Sequence, residues 1–272
     1  MTTRAVIIGA SGRMGQSLVR AAGEFPDLAI TAAVASATSA ALGRDAGELA
    51  GAAPLGITVS ADLPAALALA DVAIDFSQPQ ASAANVAACR AAGTPLLIGT
   101  TGFPEALEPQ LTDAARRIPL LVAPNTSLGV TLLVELVRMA ARVLPAAFDI
   151  EILETHHRMK RDAPSGTALA LARAAGEGRG LTGQQALSGA DGDRAGVRRA
   201  GQIGFAVLRG GDVVGEHDVR FLGPGETLVL GHRASDRSLF ARGALTAALW
   251  LAQQPAGRYS MRDILFYNQK LR

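Results

Sequence analysis

Short apolar runs alternate with longer amphipathic segments over the first part of the chain. The apolar runs predict strands at 5–9, 29–35, 72–76, 96–99 and 120–123. The segments between them predict helices near 14–24, 80–92 and 105–117. Apolar strands separated by helices of this length are typical of a parallel sheet that is covered by helices on both faces. The pattern therefore predicts a doubly wound α/β domain.

The pattern changes after residue 127. An amphipathic segment at 128–144 predicts a long helix, and a strand-like segment follows at 148–154. Residues 176–201 are rich in Gly, Arg, Asp and Gln without periodicity, which predicts a long mobile loop. Apolar runs at 203–208, 213–219 and 227–230, separated by glycine-rich turns, predict antiparallel strands. A final helix is predicted at 238–253 and carries the only tryptophan, Trp250.

We therefore predict two domains. The first comprises residues 1–127 and is completed by the C-terminal residues 238–272. The second, residues 128–237, is an α+β domain that contains a mixed or antiparallel sheet.

Composition narrows the class of protein. A net charge of only +2 does not predict binding to nucleic acid, whereas a small anionic ligand is compatible with it. Cys89 is the only cysteine, so no internal disulfide can form and a reducing compartment is expected. No stretch approaches the roughly 18 apolar residues of a membrane span, and the N-terminal segment lacks the features of a signal peptide. These features predict a cytoplasmic protein without a membrane partner.

A glycine-rich segment follows the first predicted strand and opens the first predicted helix. It consists of Gly9, Ala10, Ser11, Gly12, Arg13, Met14 and Gly15. In this context glycines permit a tight turn and a close approach of the backbone to a pyrophosphate, which the helix N-terminus then binds. The segment therefore predicts a dinucleotide site, although an ordinary glycine-rich turn between strand and helix has the same sequence features.

The acidic residue that usually follows on the second strand is missing. Residues 33–39 read Ala-Val-Ala-Ser-Ala-Thr-Ser, with no carboxylate to bind the ribose hydroxyls. Two later strands end in segments that lie where ligands bind in such sheets, or that simply end the strands: Gly99, Thr100, Thr101 and Gly102, and Ala123, Pro124, Asn125 and Thr126.

The segment ETHHRMKRDAPSGTA, residues 154–168, concentrates cations in front of a helix N-terminus. His156, His157 and Lys160 precede Ser165-Gly166-Thr167, which predicts the start of a helix over 168–175. Exposed amides and cations at such a place bind a small anion, and a histidine adds a proton donor. A solvated basic loop before a capped helix is the plain alternative. No metal site is predicted, because adjacent histidines point apart and His217, His232 and Cys89 are isolated in the sequence.

Several segments together resemble a known family. They are GASGRMG, RDAGELAG, IDFSQP, IGTTGF, ETHHRMKRDAPSGTAL, IGFAVLRGGDVVGEH and HRASDR. Over nearly the whole length the chain is similar to the dihydrodipicolinate reductase family, also called 4-hydroxy-tetrahydrodipicolinate reductase. The family reduces a cyclic dicarboxylate with NADH or NADPH in the diaminopimelate route to lysine. The resemblance implies a Rossmann-type fold with a second α+β domain, an NAD(P)H-dependent oxidoreductase and a homotetramer.

The resemblance also implies roles for individual residues. His156 would donate and accept a proton, and Lys160 would be the second proton donor. The carboxylates of the substrate would be bound by His157, Gly166 and Thr167. The dinucleotide would be contacted by Gly9 to Met14, Gly99 to Thr101 and Ala123 to Thr126.

Two departures from the family pattern concern the cofactor. Ala35 stands at the acidic ribose position of many members, and Thr126 stands at a contact position that is often aromatic. The choice between NADH and NADPH is therefore left open by the sequence.

Two other functions remain possible at this point. One is a different two-domain dehydrogenase acting on an amino-acid-derived substrate, and the other is a dinucleotide-binding regulator without turnover. A regulator would not need the proton donors His156 and Lys160.

Overall fold

The structure is a computed structural model, and it describes residues 2–190 and 196–266. Its strands, in chain order, are β1 (Thr3–Ile8), β2 (Leu28–Val34), β3 (Val59–Ser60), β4 (Val72–Asp75), β5 (Leu96–Ile98), β6 (Pro119–Val122), β7 (Asp149–His156), β8 (Ile203–Arg209), β9 (Gly215–Gly223), β10 (Glu226–Ala234) and β11 (Gly257–Tyr259). Its helices are α1 (Arg13–Ala22), α2 (Ala46–Leu49), α3 (Leu63–Leu67), α4 (Ser82–Ala92), α5 (Glu108–Ala115), α6 (Leu128–Val143), α7 (Gly166–Gly178), α8 (Gly183–Ala186), α9 (Ser238–Leu251) and α10 (Met261–Phe266). Two compact units result, one within Met1–Ser127 and Ser238–Arg272, the other within Leu128–Arg237.

The first unit is built on a seven-stranded sheet in the order β11-β6-β5-β4-β1-β2-β3. All neighbouring strands in it are parallel. The central strands β1, β4 and β5 are almost continuously apolar and buried, as expected when helices cover both faces. The prediction of a doubly wound parallel sheet is confirmed. The short elements β3, α2, α3, β11 and α10 were not predicted, because segments this short carry no clear periodicity.

The second unit contains a four-stranded mixed sheet in the order β10-β9-β7-β8. The pair β9 and β10 and the pair β7 and β9 are antiparallel, whereas β8 runs parallel to β7. The prediction of antiparallel strands is therefore wrong for β8, since β7 lies between β8 and β9. Helices α6 and α7 pack on the sheet through buried side chains such as Leu133, Val137, Leu171 and Phe221.

The predicted loop at 176–201 is also partly wrong. Helix α7 continues to Gly178, and α8 follows it with a capping box in which Thr182 and Gln185 exchange hydrogen bonds. Residues 191–195 of this segment lie outside the described residues. Within the described part of the chain, no helix is long and apolar enough to cross a membrane.

Candidate active site

The glycine segment of the first unit turns tightly between β1 and α1. Gly9 has φ +85°, and its amide donates to the carbonyl of Val34 at 2.9 Å. A Cβ at Gly9 would lie 2.6 Å from the Phe76 carbonyl oxygen, and one at Gly15 would lie 2.3 Å from the Gly9 carbonyl oxygen. Side chains are therefore excluded at both positions. A Cβ at Gly12, which directly precedes α1, would meet only the Gly9 carbonyl oxygen, at 3.3 Å, so the space beside this helix end is open to a ligand.

A pocket of about 500 Å³ lies against this segment. Its walls include Gly9, Ser11 and Gly12 of the turn together with residues that follow β2 and β4. Ala35, at the end of β2, also lines the pocket, and no acidic side chain is among its lining residues. Nearby, the hydroxyls of Ser36 and Thr38 lie 3.1 Å apart. The pocket thus combines an open helix N-terminus with uncharged hydroxyl groups.

A fully buried carboxylate connects the strand ends beside this pocket. Asp75, at the end of β4, accepts hydrogen bonds from the Ser77 amide at 2.8 Å, the Asn85 side chain at 3.0 Å and the Thr100 hydroxyl at 3.3 Å. It therefore fixes the position of Thr100 relative to the end of β4. No role was predicted for Asp75 from the sequence, although a charged residue that ends an apolar strand was a usable signal.

The other residues predicted to contact the dinucleotide follow β5 and β6. In the parallel sheet, β5 lies beside β4 and β6 lies beside β5, so Gly99 to Thr101 and Ala123 to Thr126 belong to the edge that carries the glycine segment. A Cβ at Gly99 would lie 2.2 Å from the Phe76 ring, which requires glycine there. Thr126 is only 2% exposed, and its hydroxyl donates to the Phe240 carbonyl oxygen at 2.6 Å. The Thr126 hydroxyl is thus committed to holding α9.

In the second unit, the end of β7 carries the proton-site candidates. Burial alternates along β7, so Glu154 and His156 lie on the same buried face as Ile150 and Ile152. In the registers of the sheet, Glu154 is opposite His217 of β9 and His156 is opposite Arg209 of β8. Sequence positions more than 50 residues apart therefore meet at one place.

Glu154 is the centre of this cluster and is 1% exposed. Its Oε1 accepts hydrogen bonds from the Ser165 amide at 3.1 Å and from Nη2 of Arg209 at 2.9 Å. Its Oε2 lies 3.5 Å from Nδ1 of His156 and 3.6 Å from Nε2 of His217. Burial raises the pKa of Glu154, but the interactions with His217, Ser165 and Arg209 outweigh this effect and lower the pKa to about 2.

His156 is 8% exposed and packs edge-on against His217, with ring centroids 5.0 Å apart. Burial lowers its pKa to about 4, and the neighbouring His217, Lys160 and Arg209 act in the same direction. The charge of Glu154 opposes them. His156 is therefore a neutral imidazole at neutral pH in the free protein.

Lys160 and His157 belong to the loop that follows β7. The ammonium of Lys160 donates to both carboxylate oxygens of Asp162, at 2.9 and 2.8 Å, and this pairing lowers the pKa of Asp162. The backbone of His157 is fixed by a bond from its amide to the Val213 carbonyl oxygen at 2.7 Å. The charge of Lys160 lowers the pKa of His156, so the ammonium group acts electrostatically on this neutral imidazole.

Gly166 and Thr167 form the first turn of α7, next to this cluster. The preceding residue, Ser165, caps the helix, with its Oγ accepting from the Ala168 amide at 3.2 Å. The same Oγ lies 3.1 Å from Nε2 of His217. The helix N-terminus, with the exposed Gly166 and the half-buried Thr167, thus lies beside the buried imidazoles.

His217 was predicted to be isolated, and this prediction is wrong, because β9 pairs with β7 and brings His217 opposite Glu154. Potential ligand atoms of Glu154, His156 and His217 all lie within 4.8 Å of one another. We assign no metal to them, since the charge of Glu154 is already balanced by Arg209 and His217 is hydrogen-bonded to Ser165. That the protein works without a metal stays a prediction.

Comparison with known proteins gives a consistent result. A family model described as "Dihydrodipicolinate reductase, N-terminus" matches residues 3–126, and one described as "Dihydrodipicolinate reductase, C-terminus" matches residues 129–265. The chain is 50% identical to a 4-hydroxy-tetrahydrodipicolinate reductase of Anaeromyxobacter dehalogenans over 97% of both chains. It is 51% identical to a protein of the same description from Alkalilimnicola ehrlichii, over 97% of this chain and 99% of the relative.

A comparison with solved structures leads to the same family. A dipicolinate-bound dihydrodipicolinate reductase from Paenisporosarcina sp. TG-14 superimposes with a TM-score of 0.76 at 25% identity, covering 96% of this chain and 98% of the other. An amine dehydrogenase from Mycobacterium smegmatis, at 14% identity and a TM-score of 0.61, shares the fold alone. Family models that together span almost the whole chain, and relatives half identical to it, lead to one conclusion: the chain belongs to the dihydrodipicolinate reductase family.

Proposed function

We propose that the chain reduces 4-hydroxy-tetrahydrodipicolinate to tetrahydrodipicolinate with NADH or NADPH, in the diaminopimelate route to lysine. The observation that carries this proposal is the cluster at the end of β7. There, His156 and Lys160 share one electrostatic site beside the N-terminus of α7, in a chain 50% identical to curated reductases of this substrate.

The reaction defines what the protein must supply. Replacing the hydroxyl group of the substrate by hydrogen consumes one hydride and one proton and releases one water molecule. The reduced nicotinamide supplies the hydride when the dinucleotide is bound. The chain must therefore hold two ligands, orient the substrate and deliver the proton.

We assign dinucleotide binding to the first unit. A pyrophosphate held by backbone amides fits this region. Only glycine is sterically possible at positions 9 and 15, the helix end at Gly12 is open, and a pocket lies beside it. Other proposed contacts come from the strand-end segments Gly99 to Thr101 and Ala123 to Thr126.

We assign substrate binding to the second unit, Leu128–Arg237. The substrate carries two carboxylates, and the N-terminus of α7 offers amides at Gly166 and Thr167 that suit one of them. His157 is proposed to bind carboxylate as well. His156 and Lys160 are the proposed proton donors.

Substrate binding is also what makes His156 a proton donor. In the free protein its pKa is about 4, so the imidazole carries no extra proton at neutral pH. Two carboxylates brought close to the ring favour its charged form and raise that pKa. The site is thereby protonated when it is loaded with substrate.

Three further properties belong to the proposal. We expect a homotetramer and a cytoplasmic location, with a small dicarboxylate as the binding partner and no binding to nucleic acid or to a membrane. The tetramer is supported by apolar side chains on the outer strand β10, and the location by the single buried cysteine, Cys89.

The direct test is an absorbance assay of NADPH and NADH oxidation. Substrate is made in situ from pyruvate and aspartate semialdehyde. We expect oxidation that depends on both precursors and that is lost in the His156→Ala variant. A regulator would bind the dinucleotide without oxidising it, and another dehydrogenase would remain inactive with this substrate.

A further inference from the structure

We propose that Glu154 is a positioning residue for proton transfer: its buried carboxylate holds the ring of His156 and determines which ring nitrogen carries the proton. The catalytic consequence rests on the proposed function, because it concerns the reaction in which His156 acts. The effect on the imidazole itself does not depend on that reaction.

The strand explains how a carboxylate comes to lie there. Alternation along β7 directs Ile150, Ile152, Glu154 and His156 to the same buried face. Glu154 is 1% exposed, and leaving a carboxylate uncompensated at such a position is costly. Glu154 is therefore a buried carboxylate two residues before the proposed proton donor His156 and on the same face of β7, and such a costly position indicates a role.

The two oxygens of Glu154 face different partners. Oε1 accepts from the Ser165 amide and from Arg209. Oε2 faces the imidazoles, 3.5 Å from Nδ1 of His156. Neither Oε2 nor this Nδ1 has a hydrogen-bond partner among the described residues. A carboxylate oxygen only accepts, so the proton of the neutral ring is most stable on Nδ1, the nitrogen that faces Glu154.

The other nitrogen, Nε2, is then the one that takes up and releases a proton. The chain leaves room beside it, because residue 215 is glycine. A Cβ at Gly215 would lie 3.0 Å from Nε2 and 3.3 Å from Cδ2 of His156. The fold thus directs Nδ1 at a carboxylate and keeps a side chain away from Nε2.

Charged groups reach His156 from every neighbouring element. Glu154 lies on β7, Arg209 ends β8, His217 lies on β9 and Lys160 lies in the loop after β7, where Asp162 is paired with it. Of the groups that shift the pKa of His156, the three cationic or imidazole groups lower it and Glu154 alone raises it. Removing the charge of Glu154 therefore makes His156 harder to protonate.

The carboxylate also joins the proton site to the proposed anion site. Through Oε1 it holds the Ser165 amide directly before Gly166, and through Oε2 it faces His156. Orientation of the imidazole and of the α7 N-terminus consequently depends on one side chain.

The first test reads the imidazole itself. Long-range ¹H–¹⁵N spectra of the full chain with labelled histidine distinguish the two neutral forms, and the His156 signal is identified by its loss in His156→Ala. We expect the Nδ1–H form in the unaltered protein. In Glu154→Gln, Arg209 and Ser165 retain the amide oxygen as acceptor, so the amide NH₂ faces His156 and the proton moves to Nε2. The same ring form in both proteins would overturn the proposal.

Kinetics provide the second test. For Glu154→Gln we expect kcat near neutral pH to fall about tenfold or more, and the fall of activity at high pH to begin about one pH unit lower or more. The KM for NADPH should change less than about twofold, a difference well under 1.4 kcal/mol. Glu154→Asp keeps the charge and should retain the Nδ1–H form with an intermediate kcat.

Glu151→Gln is the matched control, because it removes another paired carboxylate from β7 on the opposite face. A structural role for Glu154 predicts lower thermal stability with an unchanged ring form and pH profile, and that result would reject the proposal. If the chain lacked reductase activity altogether, the unaltered protein would be inactive as well, while the spectra would still decide the role of Glu154.

Discussion

At the scale of single residues, the protonation of His156 links stability to pH. Its pKa is about 4 in the folded protein and 6.5 as the ordinary value, so between these limits the unfolded chain binds more protons. Stability is therefore lost as pH falls from 6.5 to 4. Glu154, with a pKa lowered from 4.5 to about 2, adds a further loss between those values.

The first prediction follows from this sign. The free energy of unfolding of the unaltered protein, measured with urea, should fall by up to about 3 kcal/mol from pH 6.5 to pH 4 because of His156. The His156→Ala variant should lack this part of the pH dependence, whatever its absolute stability. Equal slopes for the two proteins in this range would contradict the buried, neutral state of His156.

A second prediction concerns turnover. His156→Ala and Lys160→Ala should each lower kcat by about 10²–10⁴-fold, the usual contribution of general acid catalysis. Dinucleotide affinity should be retained, because the glycine segment belongs to the other unit. Calorimetric titration with NADPH is the control for folding. Near-native turnover in either variant would remove that residue from the mechanism.

A third prediction concerns the choice of cofactor. Ala35 lines the pocket at the end of β2 and neither accepts bonds from ribose hydroxyls nor repels a 2′-phosphate. We expect NADPH to be used at least as well as NADH. Ala35→Glu should shift the ratio of kcat/KM towards NADH by about tenfold, or roughly 1.4 kcal/mol. The uncharged Ala35→Gln is the matched control, and an unchanged ratio in Ala35→Glu would place discrimination elsewhere.

Residue roles were predictable only where the signal is local. The glycine turn and the Ser-Gly-Thr helix start have recognisable chemistry within a few positions. Glu154, Arg209 and His217 were missed because their meeting depends on the registers of β7 with β8 and β9, which the sequence does not display. The alternation of apolar residues along β7 nevertheless places Glu154 on the apolar face, and this pattern could have indicated a buried carboxylate.

At the scale of elements, long periodic segments were predicted well and connections were not. Helices α1, α4, α6 and α9 follow the predicted ranges closely, since each buries one face over several turns. The turn at 209–212 had the composition of a hairpin, yet β7 lies between the strands that it joins. Amides of Gly210 and His157 bond across this turn to His156 and Val213 carbonyls, so pairing with β7 replaces the expected hairpin.

The fourth prediction compares two helix caps. Ser165 caps α7 and Thr182 caps α8, each through its side-chain oxygen. Ser165→Ala and Thr182→Ala should each lower stability by about 1 kcal/mol. Only Ser165→Ala should raise the KM of the dicarboxylate substrate, because only Ser165 lies beside Glu154 and His217. Equal effects of the two variants on KM would show that the α7 N-terminus is a structural cap without a part in binding.

At the scale of the whole molecule, chain order and spatial units differ. The family model for the C-terminal part begins at residue 129 and continues to 265, whereas residues 238–266 belong to the first compact unit. Helix α9 is part of that unit, since a Cβ at Gly243 would lie 1.8 Å from the Thr126 carbonyl oxygen. The second unit is thus an insertion into the first, and its functions can differ while the first keeps its own core.

The last prediction concerns assembly. Strand β10 is an outer strand of the four-stranded sheet, and its Leu228 and Val229 are 40% and 50% exposed. An outer strand that is apolar and unpaired tends to associate, and closed symmetric assemblies satisfy such strands. We expect light scattering at micromolar concentration to give four times the chain mass of 27.9 kDa. Val229→Glu should reduce that mass, because a carboxylate would have to be buried at the contact. Leu69→Glu, which alters a leucine 53% exposed in the first unit, is the matched control and should leave the mass unchanged. A stable monomer of the unaltered chain would show that this outer strand remains open to solvent.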